Sequence, residues 1–257
     1  MFKKETTLKK ITIAFFALYA VLLTCQANEL VVWSAGAVQS AVEEVAPELQ
    51  RQTGLTLQIQ YAPVGVWMRR LAAGEHADVM ILTSDVLAEV EAKRWSISGS
   101  AKPLGSVGVG VAVKQGAPFP DISTPQALRE TLLKAKSITY MDPQKGTSGK
   151  HFAGVLQTLG ISDQVKSKTS LGDAGYVLEP VARGEIEIGI QQITEILPVH
   201  GAALVGPLPP SLQKITTYVV VLGAQSNDKG KAEQFATFLQ SPQSALTFKR
   251  KGFTVQP

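Results

Sequence analysis

The pattern of hydrophobic and polar residues alternates, from residue 29 onward, between strand-like and helix-like stretches. The β-branched run ELVVW predicts a strand, and the segment that follows carries apolar residues at helical spacing up to Gly54. The alternating LTLQIQY predicts a second strand, Val66 to Ala73 a second helix ending at Gly74, and ADVMIL a third strand. This βαβαβ series predicts a mostly parallel sheet covered by helices on both faces.

A second α/β series follows Pro103. SVGVGVAVK predicts a strand, Pro125 to Lys134 a helix, SITYM a strand, HFAGVLQTLG and AGYVLEPVARG two helices, and EIEIGIQQ a strand. A long apolar strand, ITTYVVVLG, and further helices complete the chain. The fold class is therefore α/β.

The order of these elements predicts two lobes, each a mostly parallel sheet flanked by helices, with the second lobe inserted in the first. We expect lobe 1 to contain residues 28–110 and 218–257, and lobe 2 to contain residues 111–217. Two extended segments, Ser106 to Val113 and Ile215 to Leu222, connect the lobes. Because two such crossings can act as a hinge, we expect a ligand cleft between the lobes.

The first 27 residues have the organisation of a secretory signal. Four lysines precede the apolar run from Ile11 to Leu23, which is shorter than the roughly twenty residues needed to span a bilayer. We expect export to the periplasm and cleavage after Ala27. Lipidation of Cys25 is the less favoured alternative, because Thr24 is a poor residue before a lipoprotein cysteine.

Composition excludes several classes of function. The net charge of +4 includes the lysines of the leader, and the remaining basic residues are dispersed, so nucleic-acid binding is not expected. The sequence contains no Walker loop, no Gly-x-Ser-x-Gly, no His-Glu-x-x-His and no cysteine-rich metal spacing. We therefore expect neither a metal nor a cofactor, and a monomer, as is usual for a clamp that must open and close.

Four loops rich in small residues lie between an extended segment and a helix: SAGA at 34–37, PVGV at 63–66, KGTSG at 145–149 and LGDAG at 171–175. Glycine permits close approach of the backbone to a ligand, and the first N–H groups of a helix are unpaired donors at its positive end. Each loop alone would more simply be a tight connection, but four together predict an anion site. The predicted ligand-binding residues are Ser34, Gly36, Ala37, Val64, Gly65, Arg69, Lys145, Thr147, Ser148, Gly149, Ala174, Gly175 and Gln192.

Four blocks carry a family resemblance: VVWSAGAVQSAVEEVAPELQRQTG, RRLAAGEHADVMILTSD, YMDPQKGTSGKHFAGVLQTLGI and VARGEIEIGIQQITEILP. In this order they resemble the periplasmic molybdate-binding proteins, a branch of the type 2 solute-binding proteins of ABC importers. The resemblance implies a two-lobed periplasmic binding protein type 2 fold. It also implies capture of a small anion in the interlobe cleft and delivery to a permease in the inner membrane.

The ligand positions depart from that family. Its members usually place serine where this chain has Ala37 and Gly65, and tyrosine where it has Gln192. Hydrogen bonds to charged groups contribute roughly 1.5 to 3 kcal/mol each, so three missing hydroxyl donors would weaken molybdate binding. The expected ligand is therefore a molybdate-like oxyanion or a small carboxylate.

The GIQQ and E-x-LP elements also resemble those of periplasmic aconitate isomerases, and this resemblance implies an alternative function. Interconversion of cis- and trans-aconitate requires an acid and a base near the substrate carbon, together with partners for its carboxylates. In that case His151 or Glu195 would act as the base, with Arg69 and Lys145 as carboxylate partners. Passive capture is the first hypothesis and isomerisation the alternative.

Overall fold

The computed structural model describes residues 29–173, 175 and 177–255. The predicted signal peptide, its cleavage site at Ala27 and the alternative lipidation site Cys25 lie outside these residues, as does Ala174. Among the helices of the described ranges, none combines the length and the apolar character that a membrane span requires.

The described chain forms nine strands and ten α-helices. The strands are β1 (Glu29–Ala35), β2 (Thr56–Ala62), β3 (Val79–Thr83), β4 (Lys102–Lys114), β5 (Ile138–Met141), β6 (Thr169–Gly172), β7 (Ile188–Gln192), β8 (Ala202–Pro207) and β9 (Ile215–Leu222). The helices are α1 (Gln39–Thr53), α2 (Val64–Ala72), α3 (Leu87–Ala92), α4 (Pro125–Lys134), α5 (Thr147–Thr158), α6 (Ser162–Lys166), α7 (Glu179–Arg183), α8 (Ile193–Ile196), α9 (Lys229–Leu239) and α10 (Pro242–Arg250).

The strands form one mixed sheet in the order β2-β1-β3-β9-β4-β7-β5-β6, with β8 paired to β4. The block β2-β1-β3 is parallel, and so is the block β7-β5-β6. Strands β9 and β4 lie between the two blocks and pair antiparallel with each other and with their neighbours. The two predicted parallel series are therefore present, joined by an antiparallel centre.

Strand β4 runs from one block to the other. Its residues Lys102 to Gly108 pair with β9, and from Val109 onward it pairs with β7 and β8. Each block has its own hydrophobic core: one includes Leu30 and Phe248, and the other includes Phe152. The long central strands β4 and β9 lie between these two cores.

Local chemistry explains several element boundaries. Helix α1 ends at Gly54, which adopts φ 70° in the left-handed region that glycine favours. Helix α4 begins at Pro125, and the side chain of Thr124 accepts a hydrogen bond from the backbone N–H of Ala127 at 3.1 Å. Its bounds are those that the sequence predicted.

Helix α5 begins at Thr147, four residues before the predicted start at His151. Thr147, Ser148 and Gly149 therefore form the first turn of the helix rather than a loop. A Cβ on Gly149 would lie 1.9 Å from the carbonyl oxygen of Met141, so a glycine is required where α5 packs against the end of β5. The sequence pattern did not predict α3, α6, α8 or β8, which are too short to show a clear period.

Candidate functional site

A cavity of about 50 Å³ lies between the two halves of the sheet, and we call it the inner cavity. It is lined by Ala35, Gly36, Ala37, Gln39, Tyr61, Ala62, Pro63, Val64, Met141, Gly146, Thr147, Ser148, Gly175, Gln192, Glu195 and Tyr218. Strands β1, β2, β5 and β7 end at this cavity, and the helices that follow them begin there. This is the position at which open α/β sheets bind ligands.

Seven of the predicted ligand residues line the inner cavity, together with the predicted catalytic candidate Glu195. The seven are Gly36, Ala37, Val64, Thr147, Ser148, Gly175 and Gln192. Sequence reasoning missed Gln39, Tyr61, Met141 and Tyr218. Met141 and Tyr218 lie in apolar strands, where nothing in the pattern separates a cavity residue from a core residue.

Helices α2 and α5 both begin at the inner cavity. Each is preceded by an extended residue, Pro63 or Gly146, and no described side chain caps either N-terminus. The first residues of both helices, among them Val64 and Thr147, line the cavity, and their N-cap residues provide no side-chain hydrogen bond to the first backbone N–H groups. Together with the partial positive charge of the helix ends, they favour a negatively charged ligand.

Glu195 lies on the short helix α8, directly after β7, and its side chain is 7% exposed. Burial raises the pKa of its carboxyl to about 8, and this effect is partly offset by hydrogen bonds from the Gln191 side chain and the Gln192 backbone. At pH 7 the carboxyl is mostly protonated. It can then donate a hydrogen bond to an anion and does not repel it.

The floor of the inner cavity contains further buried polar groups. Burial, and next the nearby Glu195, raise the pKa of Tyr218 well above its ordinary value, so its phenol is neutral. Gln192 is 1% exposed and donates from Nε2 to Oγ1 of Thr216 at 3.2 Å. Its Oε1 has no hydrogen-bond partner among the described residues. Such a group is expected to interact with a ligand or with water.

Three further predicted ligand residues lie close to the inner cavity but do not line it. Ser34 is fully buried and donates from Oγ to the carbonyl oxygen of Ala35 at 3.2 Å. A Cβ on Gly65 would lie 2.8 Å from the carbonyl oxygen of Lys145, so the two halves of the molecule touch there. Gly149 permits the close packing of α5 on β5 described above.

Arg69, a predicted ligand residue, is exposed to solvent and does not line the inner cavity. The neighbouring Arg70 lies over the ring of Trp33, with Cζ 4.2 Å from the centroid. Trp33 in turn stacks on Trp67 at 5.2 Å, and Trp67 donates from Nε1 to the carbonyl oxygen of Ser34 at 3.0 Å. These aromatic rings belong to the core that supports the first loop.

Lys145 and His151 lie outside the inner cavity, at a second space of about 450 Å³ that we call the outer cavity. Lys145 contacts Asp173 at 2.5 Å, and His151 donates from Nε2 to the carbonyl oxygen of Leu212 at 2.8 Å. The outer cavity is lined by Val64, Gly65, Met68, Thr83, Asp85, Val86, Pro143, Gln144, Lys145, Gly146, Thr147, Lys150, His151, Gly154 and Lys214.

The chain is similar to known proteins over most of its length. An aconitate isomerase from a Pseudomonas species is 32% identical over 89% of this chain and 88% of its own. The molybdate-binding protein ModA of Escherichia coli is 24% identical over 89% of this chain and 90% of its own. The solved periplasmic molybdate-binding protein of Azotobacter vinelandii aligns with a TM-score of 0.75 at 18% identity, covering 89% of this chain and 100% of that one.

These similarities confirm the expected fold and family. The α/β architecture is that of the type 2 periplasmic binding proteins. The family model described as bacterial extracellular solute-binding protein matches residues 30–254. The chain therefore belongs to the bacterial extracellular solute-binding proteins.

Proposed function

We propose that the protein is the periplasmic binding component of an ABC importer and captures a small anion in its inner cavity. The observation that carries this proposal is a cavity with two uncapped helix N-termini, Thr147 and Ser148 hydroxyls and a neutral carboxyl at Glu195. No lysine or arginine is among the described residues that line it. Neutral donors of this kind bind an oxyanion or a carboxylate without the cost of burying a cation.

The proposal includes two lobes that close on the ligand. Within the described residues, we assign 29–110 and 218–255 to lobe 1 and 111–217 to lobe 2. Two hydrophobic cores support a division close to these bounds: Val107 and Tyr218 belong to one core, and Leu212 belongs to the other together with Val109, the last but one residue of the first lobe 1 segment. Residues 106–109 and 212–218 would then act as the hinge.

A ligand screen tests the proposal. Thermal unfolding of the mature protein should shift upward with at least one member of a panel of molybdate, tungstate, sulfate, phosphate and small carboxylates. Thr147→Val should reduce that shift, because it removes a cavity hydroxyl. The matched control is Thr158→Val on the exposed end of the same helix, which should leave the shift unchanged. Absence of any anion-dependent shift would refute anion capture.

Isomerisation of aconitate is the second candidate, and one observation favours it. Glu195 lies in the inner cavity with a pKa of about 8, close to the value that makes a carboxyl effective in proton transfer near neutral pH. His151 is the less suitable base, since it lies at the outer cavity and its Nε2 is hydrogen-bonded to Leu212. Proton NMR of the protein with cis-aconitate should show trans-aconitate if this candidate is correct, and Glu195→Gln should abolish its formation.

Export and processing are also part of the proposal, and they rest on the sequence of residues 1–27. The intact mass of protein isolated from the periplasm should correspond to a chain that begins after Ala27. A lipidated N-terminus at Cys25 would instead contradict the proposed cleavage site.

A further inference from the structure

The outer cavity adjoins the inner cavity along a narrow line of contact. The two spaces share Val64, Gly146 and Thr147 in their walls. The backbone at Gly65 touches the backbone at Lys145, where an added Cβ would lie only 2.8 Å from the carbonyl oxygen. We call this contact the seam. Because it joins the two halves of the molecule, hinge opening would separate it and merge the two cavities.

The outer cavity carries an excess of positive charge. Lys145, Lys150 and Lys214 line it, with Asp85 as the one acidic residue among the described lining. Lys214 lies 3.7 Å from Asp85, and Lys145 is paired with Asp173. Lys150 is exposed and forms no ion pair with any described carboxylate. The outer cavity therefore has a cation available for a negatively charged group.

A buried hydroxyl provides an independent observation. Thr83 ends strand β3 in the wall of the outer cavity and is 1% exposed. Its Oγ1 has no hydrogen-bond partner among the described residues. A buried polar atom without a partner carries a free-energy cost, which a bound ligand or water would remove.

The volumes of the inner and outer cavities limit which part of a ligand each can hold. The inner cavity, at about 50 Å³, is smaller than the cavity of roughly 150 Å³ that is known to bind benzene in an engineered protein. It therefore accommodates one small anionic group but not a molecule with several carboxylates. The outer cavity, at about 450 Å³, has room for the remainder of such a molecule.

We propose that the protein recognises an elongated polycarboxylate, with one carboxylate in the inner cavity and a second in the outer cavity at Lys150, Lys214 and Thr83. This inference rests on the proposed function, because it requires that the inner cavity bind an anion. The seam at Gly65 and Lys145 opens to admit the ligand and closes across its carbon chain. The protein then selects ligands that carry a negative charge at both ends.

Isothermal titration calorimetry with three probes tests this inference: propionate, succinate and propane-1,2,3-tricarboxylate. The wild-type protein should bind the tricarboxylate at least tenfold more tightly than propionate. Lys150→Gln and Lys214→Gln should each reduce tricarboxylate affinity about fivefold, the order expected for a partly exposed charge pair. Thr83→Val should reduce tricarboxylate affinity more than either lysine variant does. Propionate affinity should be the same in the wild type and in all three variants.

Lys93→Gln is the control, because Lys93 is an exposed lysine at the end of α3, away from both cavities. Equal affinity for propionate and tricarboxylate, or equal losses in Lys93→Gln and Lys150→Gln, would overturn the outer site while leaving anion capture intact. If no carboxylate or oxyanion binds the wild-type protein, the proposed function fails and this inference fails with it.

Discussion

The protonation of Glu195 leads to a prediction about ligand affinity. Its carboxyl lies in the inner cavity, and burial raises its pKa to about 8. Below that pH the neutral carboxyl donates a hydrogen bond to a bound anion. Above it the carboxylate repels the same anion inside a poorly solvated space, where electrostatic interactions are strong. Affinity should therefore fall as pH rises.

The size of the effect follows from the fraction of protein in which Glu195 is protonated. With a pKa of about 8, that fraction is about nine-tenths at pH 7 and about one-tenth at pH 9. If the anion binds only the protonated form, affinity falls about tenfold between these pH values, or about 1.4 kcal/mol. Each further pH unit should cost about another factor of ten.

Titration calorimetry from pH 6.5 to 9.5, with an anion that does not itself titrate in this range, measures the dependence. Glu195→Gln keeps the shape of the side chain but cannot ionise, so its affinity should be independent of pH. Glu89→Gln, at an exposed position on α3, should behave as the wild type. A wild-type affinity that does not change with pH, or a pH dependence that persists in Glu195→Gln, would refute the role of this carboxyl.

Three further predictions concern stability and closure. Folding raises the pKa of Glu195 from 4.5 to about 8, so the free energy of unfolding falls as pH rises through this interval. Glu195→Gln removes this effect. It should stabilise the unliganded protein by on the order of 3 kcal/mol at pH 7 but not at pH 4. Equal denaturation midpoints at pH 7 would contradict this. Gly149→Ala should destabilise the protein by about 3 kcal/mol or more, as measured by urea unfolding. Gly154→Ala in the same helix is the control. A Cβ there meets nothing within 4 Å, so this change should be neutral or stabilising. Gly65→Ala should weaken ligand binding by holding the seam apart without a comparable loss of stability, and unchanged affinity would exclude closure at this contact.

The fold was predictable because its longer elements have clear periods. Strand alternation and helical spacing predicted β2, α1 and α4, and the α/β order predicted two parallel blocks. The short helix α8 has four residues, fewer than a helical period needs to become visible. The antiparallel centre depends on the pairing of β4 with β9, more than a hundred residues apart in sequence, which no local pattern encodes.

The site was predictable as a set of loops but not as a set of side chains. Small residues such as Gly36 and Gly175 marked loops that contribute to the wall of the inner cavity. The orientation of a side chain depends on where its helix begins, and α5 begins four residues earlier than the pattern indicated, with His151 at the outer cavity. The burial of Glu195 depends on long-range packing, since Tyr218 of β9 lies beside it in the same cavity.

Capture and catalysis require opposite protonation states of the Glu195 carboxyl once a ligand is bound. A bound anion raises the pKa of a neighbouring carboxyl further, because two like charges disfavour ionisation. A binding protein benefits, since the carboxyl remains a hydrogen-bond donor. A base must ionise with the substrate in place, so an isomerase needs positive charge close enough to counter the ligand. Lys150 and Lys214 line the outer cavity and not the inner one, so they offset the charge of a ligand only where that ligand spans both cavities. The direction in which ligand binding moves the pKa of Glu195 therefore distinguishes the two functions: upward from about 8 for capture, and downward for proton transfer.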